Sequence, residues 1–128
     1  MLQRNPYSAY NNSKVLTASP AELTLMLYEG AIKFGNMAII AIDNQDVEKA
    51  HNNIMKVERI VLEFQATLDH KYPVAEDFDR VYNYLVLRLH EANLKKDKEI
   101  MEEVVEHLRS MRDNWKKVME AAKGTNAS

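Results

Sequence analysis

In the run Val47-Glu48-Lys49-Ala50-His51-Asn52-Asn53-Ile54-Met55-Lys56-Val57-Glu58-Arg59-Ile60-Val61-Leu62-Glu63-Phe64-Gln65-Ala66-Thr67-Leu68, apolar residues stand at 47, 50, 54, 57, 61, 64 and 68. Steps of three and four residues return a helix to one face, whereas a strand would need every second position. The same alternation recurs at Met101, Val104, Leu108, Met111, Trp115, Val118 and Ala122. Two single-striped helices each need partners to cover their stripes, which sets the search for further helices on either side.

Upstream, Ser19-Pro20-Ala21-Glu22 combines a capping hydroxyl, a proline at the first helical position and a glutamate that can bond back to the cap. A helix is expected from there to about Asp43, where Asp43-Asn44-Gln45-Asp46 supplies a turn and a new cap for the run from Val47 to about Leu68. Pro73 then breaks the pattern, and a third helix is expected to about Asn93, with Glu76, Asp77 and Asp79 in its first turns. Lys95-Lys96-Asp97 forms the next corner, and the fourth helix should end before Gly124. Its acids Glu99, Glu102, Glu103 and Glu106 come early and its cations Arg109, Arg112, Lys116, Lys117 and Lys123 late, as the helix dipole favours. Short corners make successive helices antiparallel, so the expected class is all-α. The architecture is an up-down four-helix bundle over residues 19–124, with an extended N-terminal arm at 1–18 and a tail at 125–128.

Length and composition agree: 128 residues with 46% hydrophobic and 28% charged side chains suit one soluble domain with a real core. A net charge of −2 supplies no field for a nucleic-acid backbone or an anionic membrane, so neither nucleic acid nor membrane insertion is expected. With no cysteine and no apolar leader after Met1, the expected location is the cytosol.

There is more apolar surface than one core needs. In the first helix Leu23, Leu27, Gly30, Phe34, Met37 and Ala41 share a face, while Leu25, Tyr28, Ile32, Ile39 and Ile42 lie opposite. The third helix has a core row at Phe78, Val81, Tyr82, Leu85, Leu89 and Ala92, yet Tyr84, Leu87 and Leu94 turn the other way. The second helix adds Met55, Leu62 and Ala66 off its main stripe. Deep burial of the first helix accounts for part of this excess. The remainder suits either a partner groove or a self-associating bundle. Gly30 and Gly35, inside the first helix at up to about 1 kcal/mol each, point to a close approach by a neighbour.

Residues 1–18 hold Arg4 and Lys14 as their only charges, giving +2 and leaving −4 on the rest. Tyr7, Tyr10, Val15 and Leu16 are anchors that could lie in a groove, which makes the arm a candidate lid. A free tail and a direct client contact are the other readings.

Little points to chemistry. Helical bundles can hold di-metal centres built from paired Glu-x-x-His motifs, and one such spacing occurs at Glu48, which points away from the core row, and His51, which lies beside it, with no second copy. Glu102, Glu103, Glu106 and His107 form the densest ionisable cluster, on a face opposite the apolar stripe. No glycine-rich phosphate loop or nucleophile elbow is present, so no catalytic residue, metal or cofactor is assigned.

Val15-Leu16-Thr17-Ala18-Ser19-Pro20-Ala21-Glu22-Leu23, leading into Met26-Leu27-Tyr28-Glu29-Gly30-Ala31-Ile32, resembles the start of the flagellar secretion chaperone FliS family, as do Asn5-Pro6-Tyr7 and Tyr10. The resemblance implies a non-enzymatic cytosolic export chaperone. Such a protein binds the C-terminal segment of flagellin, prevents its premature polymerisation and assists its delivery to the flagellar type III export gate. Candidate partner-binding residues are then Tyr7, Tyr10, Leu25, Ile32, Ile39, Met55, Leu62, Tyr84 and Leu87. A client segment without structure of its own can fold along such a groove and hide its sticky face there.

Overall fold

The computed structural model describes residues 18–127, with side chains to Lys123, and the expectations on residues 1–17 and Ser128 lie outside it. Four helices follow one another: α1 Pro20–Asp43, α2 Val47–Ala66, α3 Ala75–Lys95 and α4 Lys98–Ala127. α1 packs against α2 and α4, and α3 closes the ring against the same two helices. Trp115 Nε1 donates to the Ala21 carbonyl at 2.9 Å and Lys98 reaches Asp43 at 3.2 Å, so α4 runs antiparallel to α1 along its whole length.

The sequence signals act as expected at most helix ends. Ser19 Oγ accepts from the Glu22 amide at 3.2 Å while the Glu22 carboxylate faces the Ser19 amide, a complete capping box. Asp46 accepts from the Lys49 amide at 3.1 Å, and Asp97 accepts from the Ile100 amide at 3.2 Å. α3 begins without a side-chain cap, and it ends at Lys96 with a left-handed φ of 51°. Gly124 does not stop α4. A terminating glycine works by turning left-handed, and no described glycine has positive φ, so the helix continues to Ala127.

The core is built from the predicted stripes, with Ile54, Val57, Val61, Leu85, Leu89, Met101, Val104 and Leu108 fully buried. Around the edges the rows slip. Val47 at the first turn of α2 and Val118 near the end of α4 are exposed, because nothing among the described residues packs over those ends. Phe78 and Val81 are also partly exposed, so the buried row of α3 begins at Tyr82 apart from Ala75.

α1 departs furthest from a one-sided helix: Tyr28, Ala31, Ile32, Gly35 and Ala38 are buried together with Gly30, Phe34 and Ala41, since α2 and α4 cover it from two sides. By length and composition α1 could cross a membrane, yet Tyr28, Ala31, Ile32, Phe34, Ala38 and Ala41 are buried against these neighbours.

Gly35 explains how α1 and α4 come so close. A Cβ there would stand 2.5 Å from Val105 Cγ2, on a stiff β-branched side chain that cannot swing aside. Gly35→Ala gains helix propensity of up to about 1 kcal/mol but overpacks the interface at about 1–3 kcal/mol. The expected net result is a loss near 1 kcal/mol, read as a lower midpoint in urea. A raised midpoint would show that the two helices part freely.

Candidate functional site

The side chains proposed as a second apolar stripe fall on different faces. On α2, Met55, Glu58, Leu62 and Gln65 share the row that meets α3: Met55 Sδ lies 3.9 Å from Asn93 Nδ2, Glu58 pairs with His90, and Gln65 Nε2 donates to Asn83 Oδ1 at 2.8 Å. Leu62 lies between the last two of these links, and Leu87 takes the matching place on α3 between Asn83 and His90. They are 46% and 67% exposed, so the seam between α2 and α3 carries a wet apolar strip framed by polar contacts.

Tyr84 looks the other way. Its hydroxyl donates to Glu103 Oε2 of α4 at 2.5 Å and its ring meets His107 edge-on at 5.9 Å. Arg88 Nε also donates to Glu103, at 2.9 Å. The Tyr84 hydroxyl, with Arg88 beside it, holds the Glu103 carboxyl below the usual carboxylate range, and the same bond raises the Tyr84 phenol.

On α1, Leu25 and Ile39 are half-buried, and Ile32 is only 7% exposed within the core cluster. Ile32 therefore cannot contribute to an open surface: the side of α1 opposite Leu23 and Phe34 is occupied by the bundle itself. Tyr7 and Tyr10 lie outside the described residues.

One feature was missed because it draws on all four helices. At the end of the bundle where α1 starts, a cavity of about 400 Å³ opens among Tyr28, Phe64, Tyr72, Phe78, Tyr82 and Trp115. Phe64 lies 4.5 Å from Tyr28 and 5.8 Å from Tyr82 between ring centres, so the aromatics form a continuous wall. In sequence Phe64, Phe78, Tyr82 and Trp115 read as ordinary core and Tyr28 as part of the second stripe of the first helix, and only their grouping near helix ends around the 67–74 corner hints at a shared opening. Burial pushes the Tyr82 phenol well above its ordinary value, with the neighbouring Tyr28 adding to the effect, and burial raises Tyr28 too. Raised phenol values mean that folding favours the neutral rings. That contribution is whole below the unfolded value of 10.0 and is lost as pH rises through the folded values. Tyrosinate absorbance is accordingly expected to show these two rings ionising together with unfolding.

The metal candidate has no setting. Glu48 is exposed, His51 Nδ1 accepts from Asn93 Nδ2 at 3.0 Å, and among the described residues no three His, Asp or Glu side chains gather as a ligand set. What these surfaces offer is apolar contact: an α2–α3 strip and an aromatic cavity.

The family described as "Flagellar protein FliS" matches residues 3–122. The chain belongs to the FliS family. It is 38% identical over 121 residues to the flagellar secretion chaperone FliS of Bacillus subtilis (strain 168), spanning 94% of this chain and 91% of that one. The Campylobacter jejuni flagellar secretion chaperone FliS is 30% identical over 114 residues, 88% of this chain and 89% of that one. In three dimensions a solved structure described as a flagellar chaperone from bacteria superposes with a TM-score of 0.75, covering 90% of this chain and 95% of that one at 15% identity. The FliS chain is thus an all-helical flagellar secretion chaperone, a class defined by binding rather than by catalysis.

Proposed function

We propose that this FliS protein is a cytosolic export chaperone that binds the C-terminal segment of flagellin, keeps it from polymerising early and helps deliver it to the flagellar type III export gate. It does so without catalysis, without a nucleic-acid partner and without entering the membrane. The observation that carries this reading is the exposed pair Leu62 and Leu87, apolar side chains left open along a seam of an otherwise well-packed bundle from a secretion-chaperone family. An amphipathic client segment that orders along the seam would cover both chains' apolar surface at once. Met55 extends the strip along α2, while Tyr84, Leu25 and Ile39 offer contacts to a segment long enough to pass onto neighbouring faces.

Light scattering with and without a flagellin C-terminal peptide tests the reading. A one-to-one complex is expected, and a chain that forms a homodimer and ignores the peptide would favour self-association. Calorimetry of the complex should show a large negative heat-capacity change with little salt dependence, the signature of apolar burial coupled to ordering.

Residues 1–18 are proposed as a lid that competes with the client through Tyr7 and Tyr10, since the chain enters α1 at Ser19, near the rim of the aromatic cavity. If the lid favours the closed state by about 1.4 kcal/mol, it lowers apparent client affinity about tenfold. Deleting residues 1–18 is then expected to tighten flagellin binding by that factor and to reduce the solubility of the free protein. Weaker binding after deletion would make the two tyrosines direct client contacts instead.

A further inference from the structure

The two seams of α3 differ in kind from the packing of α1. α1 meets α2 and α4 through small and branched apolar residues, among them Ala31, Gly35, Ala38, Val57 and Val105, with one approach so close that only glycine fits. α3 also buries an apolar row, with Tyr82 stacked on Phe64 of α2 at 5.8 Å, but outside that row it meets α2 through polar links at three levels. Gln65 donates to Asp79 and Asn83 at 3.0 and 2.8 Å, Glu58 pairs with His90, and His51 pairs with Asn93. It meets α4 through Arg88 and Tyr84 on Glu103. Polar links exchange nearly one for one with water, so the polar part of the α3 seam costs little to separate and the apolar row behind it carries the cost of opening. Glu58 adds to the asymmetry, because its carboxylate, in a residue only 8% exposed, has a single, exposed histidine partner and gains hydration when the seam widens. The start of α3 is also weakly fixed, since no side chain caps it.

We propose that α3 is a built-in gate: it separates from α2 along the polar seam while α1, α2 and α4 stay packed, and this opening widens the Leu62–Leu87 strip into a groove deep enough for a helical client. The client side of the proposal rests on the flagellin reading above, whereas the looseness of α3 does not. Opening exposes part of the apolar row behind the seam, including Tyr82, Leu85 and Leu89, so the open form is a minor state that a client stabilises by covering those residues.

Two measurements on the full chain test it. In native-state hydrogen exchange of the free protein, amides of α3 between Tyr82 and Leu89 are expected to exchange about tenfold or more faster than those between Ala31 and Ala38 of α1. Equal protection would overturn the gate. The chain has no native cysteine, so Gln65→Cys with Asn83→Cys gives one reactive pair across the seam. Bridging the pair with a cleavable bis-maleimide is expected to weaken binding of a flagellin C-terminal peptide at least about tenfold, and cleaving the bridge to restore it. The same variant capped on both cysteines with N-ethylmaleimide carries the added bulk without the tether and should bind as the unmodified variant does. Undiminished affinity in the bridged form, or equal loss in the capped form, would overturn the gate. If the peptide binds no form of the protein, the flagellin reading fails and the exchange rates alone decide whether α3 opens.

Discussion

Trp115→Ala is expected to lower the stability of the bundle by about 3 kcal/mol, the lower end of the range for removing a large aromatic from a core. The lower end applies because Trp115 is half-buried: it packs against the core cluster while one side faces the aromatic cavity. Its ring also does a second task. Nε1 donates to the Ala21 carbonyl at 2.9 Å, tying the last covered turn of α4 to the first turn of α1. Losing that bond costs about 1 kcal/mol, and the emptied ring volume enlarges an existing opening rather than creating a sealed void. Trp115→Phe separates the two contributions, since it keeps most of the apolar contact and removes only the donor. Chemical denaturation should therefore order the proteins as wild type, then Phe, then Ala, with the first gap near 1 kcal/mol. A change under about 0.5 kcal/mol for Trp115→Ala is the size of a neutral surface substitution and would mean that the ring does not hold this end together.

How much of this was legible in the sequence depends on how many helices a feature draws on. A helix start is written in four consecutive residues, so Ser19-Pro20-Ala21-Glu22 predicts its capping box, and Asp46 and Asp97 their caps. The core stripes of α2 and α4 need only one helix and its period, and they hold wherever a neighbour is present to cover them. Val47 and Val118 fail for lack of a neighbour, which no single-helix pattern records. α1 was the hardest to orient, because apolar residues nearly all round it define no preferred face. The angle from Phe34 predicts Ile32 for the surface, yet both are buried once α2 and α4 pack on either side. The aromatic cavity required the relative heights of residues 28, 64, 82 and 115, which depend on corner geometry beyond the reach of periodicity. Seam polarity was equally hidden: Glu58 and His90 are 32 positions apart and each alone looks like a solvated surface residue.

Leu62→Asp combined with Leu87→Asp is expected to carry the largest effect on flagellin binding, a loss of at least about a hundredfold in affinity. Each leucine at the centre of an apolar contact contributes on the order of 2 kcal/mol, and an aspartate in its place adds the cost of drying a carboxylate without a partner. The fold should survive, since both side chains already stand in water at 46% and 67% exposure, and surface substitutions of this kind fall within about 0.5 kcal/mol. Ile40→Asp is the matched control: Ile40 is 59% exposed on α1, outside the α2–α3 seam, so a general loss of apolar surface would affect it as much. Circular dichroism first establishes that all variants keep the helical content of the parent, and calorimetric titration with the flagellin C-terminal segment then measures affinity. Weak binding by the double variant beside near-normal binding by Ile40→Asp places the client on the seam. Undiminished binding by a folded double variant moves the client elsewhere. Its most apolar destination would be the cavity walled by Tyr28, Phe64, Tyr82 and Trp115, where Phe78→Asp, at an exposed rim position, becomes the substitution that abolishes binding.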